Sequence, residues 1–259
     1  MNDMKRLIVS LLIFIPLHIL SGQDKNQKTY EPERPWMIGL QFGGSSLLAS
    51  SAHYEFSLIS SSRWSGWPGF TPQLYPNYSK QVNHGLGFKS DIYRMYSNSW
   101  GLGLKYSFST FTTQNDFVYG RYWILMKQKQ YIHFVGPTVI FRQSLSKNQK
   151  LQLIETFSAG YFYYRDEVFI DTLFTTWDIP FSHALVEGNT WAVNAGLSLE
   201  YYPVSRLSIG ANAGFMYARL KKVDVTTVHT GHKTSTLELG KQPLSLLDCS
   251  VSIRYYFNN

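Results

Sequence analysis

The sequence predicts an all-β protein, a transmembrane antiparallel up-and-down β-barrel of eight strands with long outer loops. Three observations predict it. Apolar and non-apolar residues alternate with period two over runs of about 10 to 14 residues, where a tilted membrane strand needs about 9 to 11 and a soluble strand averages about 5 to 6. The non-apolar face of these runs is mostly Gly, Ser, Asn and Ala, as the crowded inside of a narrow barrel requires. The apolar faces end in Trp36, Trp100, Trp191, Tyr201, Tyr217 and Tyr255, at the positions of the aromatic girdles that mark two membrane interfaces.

Composition agrees. Of 259 residues, 44% are hydrophobic, 16% aromatic and 16% charged. An average soluble domain carries about 25% charged residues, and a disordered chain would need low hydrophobicity with high net charge. The single cysteine, Cys249, excludes an intramolecular disulfide and any cysteine-rich metal site. Residues 1–22 have the layout of a cleaved signal peptide: Lys5 and Arg6, then the apolar Leu7 to Leu20, then Ser21-Gly22. That apolar stretch rises about 21 Å as a helix, short of a bilayer core of about 30 Å. Cleavage lowers the formal net charge from +7 by removing Lys5, Arg6 and Asp3. Residues 23–35 then form a periplasmic segment and 36–257 the barrel.

The strands follow in order. Trp36, Ile38, Leu40 and Phe42 alternate with Met37, Gly39, Gln41 and Gly43 in the first. The second, 85–96, sets Leu86, Phe88, Ile92 and Tyr96 against Lys89, Asp91 and Tyr93, with Ser90 and Arg94 breaking the apolar parity. The third, 100–111, sets Trp100, Leu102, Leu104, Tyr106 and Phe108 against Gly101, Gly103, Lys105, Ser107 and Ser109. The fourth, 131–145, is apolar on both parities, and the fifth, 151–164, carries Glu155 on its apolar side; a bulge would repair any of these three, the second strand included. In the sixth, 189–202, Trp191 to Tyr201 alternate with Ala192 to Tyr202. In the seventh, 207–219, Leu207 to Tyr217 alternate with Ser208 to Ala218. In the eighth, 244–257, Leu247 to Phe257 alternate with Asp248 to Tyr256.

Connections alternate between short (97–99, 146–150, 203–206) and long (45–84, 112–130, 165–188, 220–243), as periplasmic turns and outer loops do. The alternative count is ten strands, with Phe117 to Met126 and Tyr54 to Ile59 added. In the eight-strand count, residues near Phe117 extend a hairpin above the membrane.

On the segments WMIGLQFGG (36–44), NSWGLGLKYS (98–107), HFVGP (133–137), SAGYFYYRDE (158–167) and SIRYYF (252–257), the chain resembles small outer-membrane β-barrel proteins of the Bacteroidetes type, in the group of OmpA-like and OmpW-like barrels. The resemblance covers about residues 36–257. It implies an outer-membrane location and an aromatic C-terminal signal, Tyr255 and Phe257, read by the barrel-assembly machinery. Here two Asn follow the Phe, a departure from the pattern.

An eight-stranded barrel leaves an interior that side chains just fill. Parity places Lys89, Asp91, Lys105, Glu200, Asp248 and Arg254 in it, with Arg142 and Glu155 as further candidates. Mixed signs point to a paired network that plugs the lumen, since unpaired buried charge is costly. Gly101, Gly103, Gly196, Gly210 and Gly214 are expected to make room for Tyr202 and Tyr256. The first long loop holds Trp64, Trp67, Phe70, Tyr75 and Tyr78 among Pro68, Pro72 and Pro76, a stiffened aromatic surface able to stack on a glycan or an envelope protein, or to lie over the barrel mouth. Arg63, Lys80, Arg121, Lys127, Lys129, Arg219, Lys221, Lys222, Lys233 and Lys241 gather at the outer rim, where lipopolysaccharide phosphates would meet them.

His229, His232 and Ser235 form the one local histidine cluster and read as a solvated loop; His133 and His183 are scattered. No nucleic-acid motif or phosphate-binding glycine loop is present. The expectation is a monomeric, non-enzymatic surface protein without metal or cofactor, in contact with outer-membrane lipid and lipopolysaccharide. A narrow solute channel is the alternative, and a lipid A-modifying enzyme with a rim histidine the third class.

Overall fold

The computed structural model describes residues 36–49, 84–119, 122–146, 150–172, 182–227 and 232–257. They form eight strands: β1 (Trp36–Ala49), β2 (His84–Met95), β3 (Trp100–Tyr119), β4 (Tyr122–Ser144), β5 (Leu151–Thr172), β6 (Ser182–Val204), β7 (Leu207–Thr227) and β8 (His232–Phe257). Each pairs antiparallel with its neighbours in sequence, and β8 closes on β1. The expected signal peptide at 1–22 and the expected periplasmic segment 23–35 lie outside the described residues, as do residues 50–83 with the aromatic stretch.

Following register partners around the barrel fixes its shear. The path runs Trp36, Arg94, Leu102, Val139, Phe157, Ala195, Phe215, Leu247 and returns to β1 at Ser46, ten residues beyond its start. Eight strands with that stagger tilt about 40° from the barrel axis. Ten residues also separate Tyr201 from Trp191 on β6, and Phe141 from Tyr131 on β4. At about 3.3 Å per residue and that tilt, the girdles stand about 25 Å apart, the height of an outer-membrane apolar band. Between them Leu40, Leu102, Leu104, Val193, Leu197, Val251 and Ile253 are exposed on the outer wall, which only a lipid surround makes favourable.

The strands outrun the membrane. β3 to β8 have 20 to 26 residues, whereas β1 has 14 and β2 has 12. Pairing of β1 with β8 ends at Ala49 and Ser245, and that of β2 with β3 at Gly85 and Phe111. Above this level the described wall is six strands, β3 to β8, rising on the order of 25 Å further. Much of the predicted long loops at 112–130, 165–188 and 220–243 is therefore strand. Phe117 lies near the end of β3 and pairs with Ile124 of β4, so the described residues from Phe117 to Met126 belong to the β3–β4 hairpin and add no strand. The other segment of the ten-strand count, 54–59, lies outside the described residues.

Two expected irregularities resolve without a bulge. β4 is apolar on its lumen parity because Ile132, Phe134 and Ile140 are buried inside the barrel. β2 keeps continuous register with both neighbours, so Ser90 and Arg94 do face outward. Register shifts fall instead at Leu47/Ala49 on β1, at two places between β6 and β7, and in the upper part of β7 and β8.

Candidate functional site

The lumen is layered. Its floor, near the short turns, is Met37, Tyr93, Met95, Ile140, Ile154, Tyr202 and Tyr256. Its outer layer includes Leu47, Phe111, Ile132, Phe134, Phe162, Met216 and Leu246. Between the two lies a polar belt holding Lys89, Asp91, Lys105, Glu200, Asp248 and Arg254, all buried. Three cations face three anions, so the belt is formally neutral.

Arg254 is the hub. Its Nη2 lies 3.5 Å from Asp91 Oδ2, and its Nη1 contacts Glu200 Oε1. Gln41 Nε2 donates to Asp91 Oδ2 at 2.9 Å. Glu200 also accepts from Ser208 Oγ at 2.7 Å, Ser198 Oγ at 3.2 Å and the Tyr256 hydroxyl at 3.4 Å. Tyr256 in turn hydrogen-bonds the Tyr202 hydroxyl, which ties the belt to the aromatic floor. Lys89 is ion-paired with Asp248. Lys105 donates to Asn194 Oδ1 at 2.7 Å and stands beside Asp91 in the β2–β3 register. Every one of these charges has a polar partner, as burial requires.

Glycines make this density fit. A Cβ on Gly39 would lie 2.3 Å from Asp91 Oδ1 and 3.0 Å from Arg254 Cγ, and one on Gly214 would lie 2.5 Å from Asp248 Oδ2. The hollows under Gly101, Gly103, Gly196, Gly210 and Gly214 take Met95, Tyr93, Thr156, Glu200 with Ser252, and Asp248. Tyr202 and Tyr256, the expected occupants, sit at the floor instead. The expectation failed because parity assigns a face and leaves open which neighbour leans over a glycine.

Glu155 is a correction. On β5 the even residues are buried and Glu155 is odd, so it lies on the outer wall between its register partners Phe141 and Leu197. Arg142 keeps lumen parity but sits half-buried below the floor, beside the β2–β3 turn, where its Nε donates to the Asn98 carbonyl at 2.9 Å. Tyr255 and Phe257 stack at 6.3 Å on the outward side of β8, opposite Ile38 and Trp36.

The outer wall carries a second polar assembly at the upper girdle. His133 Nδ1 is 2.9 Å from the Tyr106 hydroxyl, and its ring lies 4.9 Å from Phe108 and 5.9 Å from Tyr163. Tyr163 donates to Glu187. Just above, Arg165 Nη2 bonds Glu167 Oε1 at 2.6 Å; that bond raises the guanidinium pKa above its ordinary value and keeps the pair charged. Sequence reasoning missed Arg165, Glu167 and Glu187 as wall residues because they fell in a predicted loop. Lys127, Lys129, Arg219, Lys221 and Lys222 are exposed at or above this level; the other basic side chains of the predicted rim lie outside what is described.

His183 stacks on Phe169 at 4.0 Å. His232 opens β8, and Ser235 pairs with Val225 as a strand residue, so they do not belong to a loop. His229 lies outside the described residues, as do Trp64, Trp67, Phe70, Tyr75 and Tyr78. No group of three metal-ligating side chains occurs among the described residues.

No protein-family profile and no curated protein sequence matches the chain. Solved structures do match in shape. A major outer membrane protein of Thermus thermophilus superposes with a TM-score of 0.52 at 12% identity, over 86% of this chain and 99% of that one. The attachment invasion locus protein Ail of Yersinia pestis, solved with the heparin analogue sucrose octasulfate, gives 0.42 at 13% identity, over 86% and 100%. The outer membrane protease OmpT of Escherichia coli also gives 0.42, at 9% identity, over 90% and 100%. What this chain shares with the Thermus thermophilus protein is the fold, that of an outer-membrane β-barrel.

Proposed function

We propose that this protein is a non-enzymatic surface protein of the outer membrane, with a plugged lumen and a structural, adhesive or partner-binding role exercised by its outer ends. The observation that carries this reading is the neutral, hydrogen-bonded charge belt closed between two apolar layers. Opening a path would leave several desolvated charges without partners at once, each at a cost of several kcal/mol. Six strands that continue past the upper girdle support the second half of the reading, because a wall of that height serves nothing inside the bilayer.

The remaining assignments follow from it. The protein is exported by a cleaved signal at 1–22 and acts as a monomer of the Bacteroidetes type of barrel. The assembly machinery reads Tyr255 and Phe257. Lipopolysaccharide phosphates meet Lys127, Lys129, Arg219, Lys221 and Lys222 above the aromatic girdle. A glycan or envelope protein is bound by the loop carrying Trp64 and Trp67.

Ion conductance of the refolded protein in a planar bilayer tests the reading, with the heat-dependent shift in gel mobility as folding control. The expected result is folded protein without steady channels. Steady channels whose conductance changes with Lys105→Ala would replace this function with that of a narrow solute channel. Lys105 is the residue to change because it donates to the Asn194 amide oxygen, where the other two cations of the belt meet carboxylates.

A further inference from the structure

We infer that Arg94 is the phosphate-binding residue of a phospholipid site at the periplasmic rim, on the face made by β1, β2 and β3. The inference rests on the membrane orientation given above and names a ligand that the orientation alone does not.

Arg94 occupies an outward position on β2, between Trp36 of β1 and Leu102 of β3 in the register. It is exposed, on a wall whose other polar residues near that height are Glu155 and Gln143. Its guanidinium carbon lies 5.9 Å from the Trp36 ring centroid and 5.7 Å from that of Tyr96. Tyr96 is itself stacked on Trp100, with centroids 5.2 Å apart and planes 24° from parallel. Trp36 of β1 and Tyr96, just past the end of β2, thus hold one cation at the lower girdle, and Trp100 of β3 backs the Tyr96 ring. Two cation–π contacts limit the guanidinium's motion but satisfy none of its five N–H donors. Among the described residues no carboxylate or carbonyl takes them.

A donor set of this kind needs an acceptor, and at this depth the phospholipid headgroups supply one. A phosphodiester presents two oxygens in the geometry that a guanidinium fork binds bidentately. Above the rings, Ile38, Ile92 and Leu102 are exposed on adjacent strands and make an apolar strip for the acyl chain of the same molecule. Charge, height and the strip above select a phospholipid of the periplasmic leaflet over a soluble phosphate, which would use the fork and leave the strip untouched.

Native mass spectrometry of the refolded barrel, released from micelles containing dioleoylphosphatidylglycerol, tests the site. The wild-type protein retains one phospholipid. Arg94→Gln lowers that occupancy about tenfold, Arg94→Lys lowers it less, and Arg206→Gln, in the β6–β7 turn across the same rim, leaves it unchanged. Trp36→Leu, which keeps the charge and removes one ring, also lowers it. Excess inorganic phosphate does not displace the lipid. Equal retention by wild type and Arg94→Gln, no retention by folded wild type, or loss in Arg206→Gln alone would each overturn the inference. Gel mobility reports folding for every variant. The orientation is read separately, by labelling in whole cells as described below, so a wrong leaflet and an absent site give different results.

Discussion

Arg254 on β8 and Asp91 on β2 stand 163 residues apart in the chain and meet across a strand that lies between them. The residue between them is Gly39 of β1, the register partner of both. Their side chains reach one another only because that position has no Cβ. A glycine on one strand therefore permits an ion pair between its two neighbours.

Gly39→Val is expected to break this contact, because even the first added carbon would lie within 2.3 Å of the Asp91 carboxylate. The loss combines overpacking, about 1–3 kcal/mol, with displacement of a buried pair. Urea unfolding from lipid vesicles measures it. Unchanged stability would mean that the Arg254–Asp91 contact contributes nothing.

Arg254→Met removes the hub and leaves Asp91 and Glu200 facing one another. The expected cost is about 3–5 kcal/mol, the range for stripping one partner from a buried pair. Neutralising the acids as well, in Asp91→Asn/Glu200→Gln/Arg254→Met, should recover more than half of that loss. If the triple variant is less stable than the single one, the belt is held by hydrogen-bond geometry more than by charge balance.

Cys249 reports the outer wall. It is exposed, yet it lies between Leu247 and Val251 on the lipid-facing parity, beside Gly44 and Ala213. In a bilayer a water-soluble maleimide should label it at least about tenfold more slowly than in urea, since the reagent reaches it only through water. A lipid-soluble maleimide should label it in both states. Rapid aqueous labelling of the folded protein would turn this face away from lipid.

Sidedness has its own test. In a Cys249→Ser background, Lys129→Cys should label from outside whole cells, and Ser97→Cys, in the β2–β3 turn, should label only after the outer membrane is permeabilised. The reverse pattern would invert the barrel.

The outer hairpins should also outlast the bilayer. Backbone amides of β4 at Lys127 and Lys129 pair with β3 and β5. Their hydrogen exchange should be slower than in an unstructured loop by on the order of a hundredfold or more, even in detergent without lipid. Loop-like exchange would end these strands at the membrane.

Within the bilayer the fold was legible because one physical contrast repeats along the chain. Lipid on one side and packed side chains on the other impose period two, and Trp36 to Phe42 or Leu247 to Phe257 carry it without interruption. Beyond the bilayer the contrast disappears. Lys127 and Lys129 face outward, Gln128 and Gln130 face inward, and both parities are polar although the ladder continues. A hydrophobicity pattern cannot mark a strand there, so the wall was taken for loops. Glu155 was misplaced for a related reason: a carboxylate is expected inside, and only the unbroken β5 register puts it outside.

The sequence by itself determined the barrel and, Glu155 apart, which side of the wall its membrane residues face, since facing follows from a local period; it left the strand count at eight with ten as the alternative. Only the tertiary structure decided who meets whom. The ten-residue stagger sets Gly39 between Asp91 and Arg254, brings Glu200 to the same guanidinium, and gathers Trp36, Arg94 and Tyr96 at one rim. Those meetings depend on register between strands far apart in the chain, and register is fixed by closure of the whole barrel.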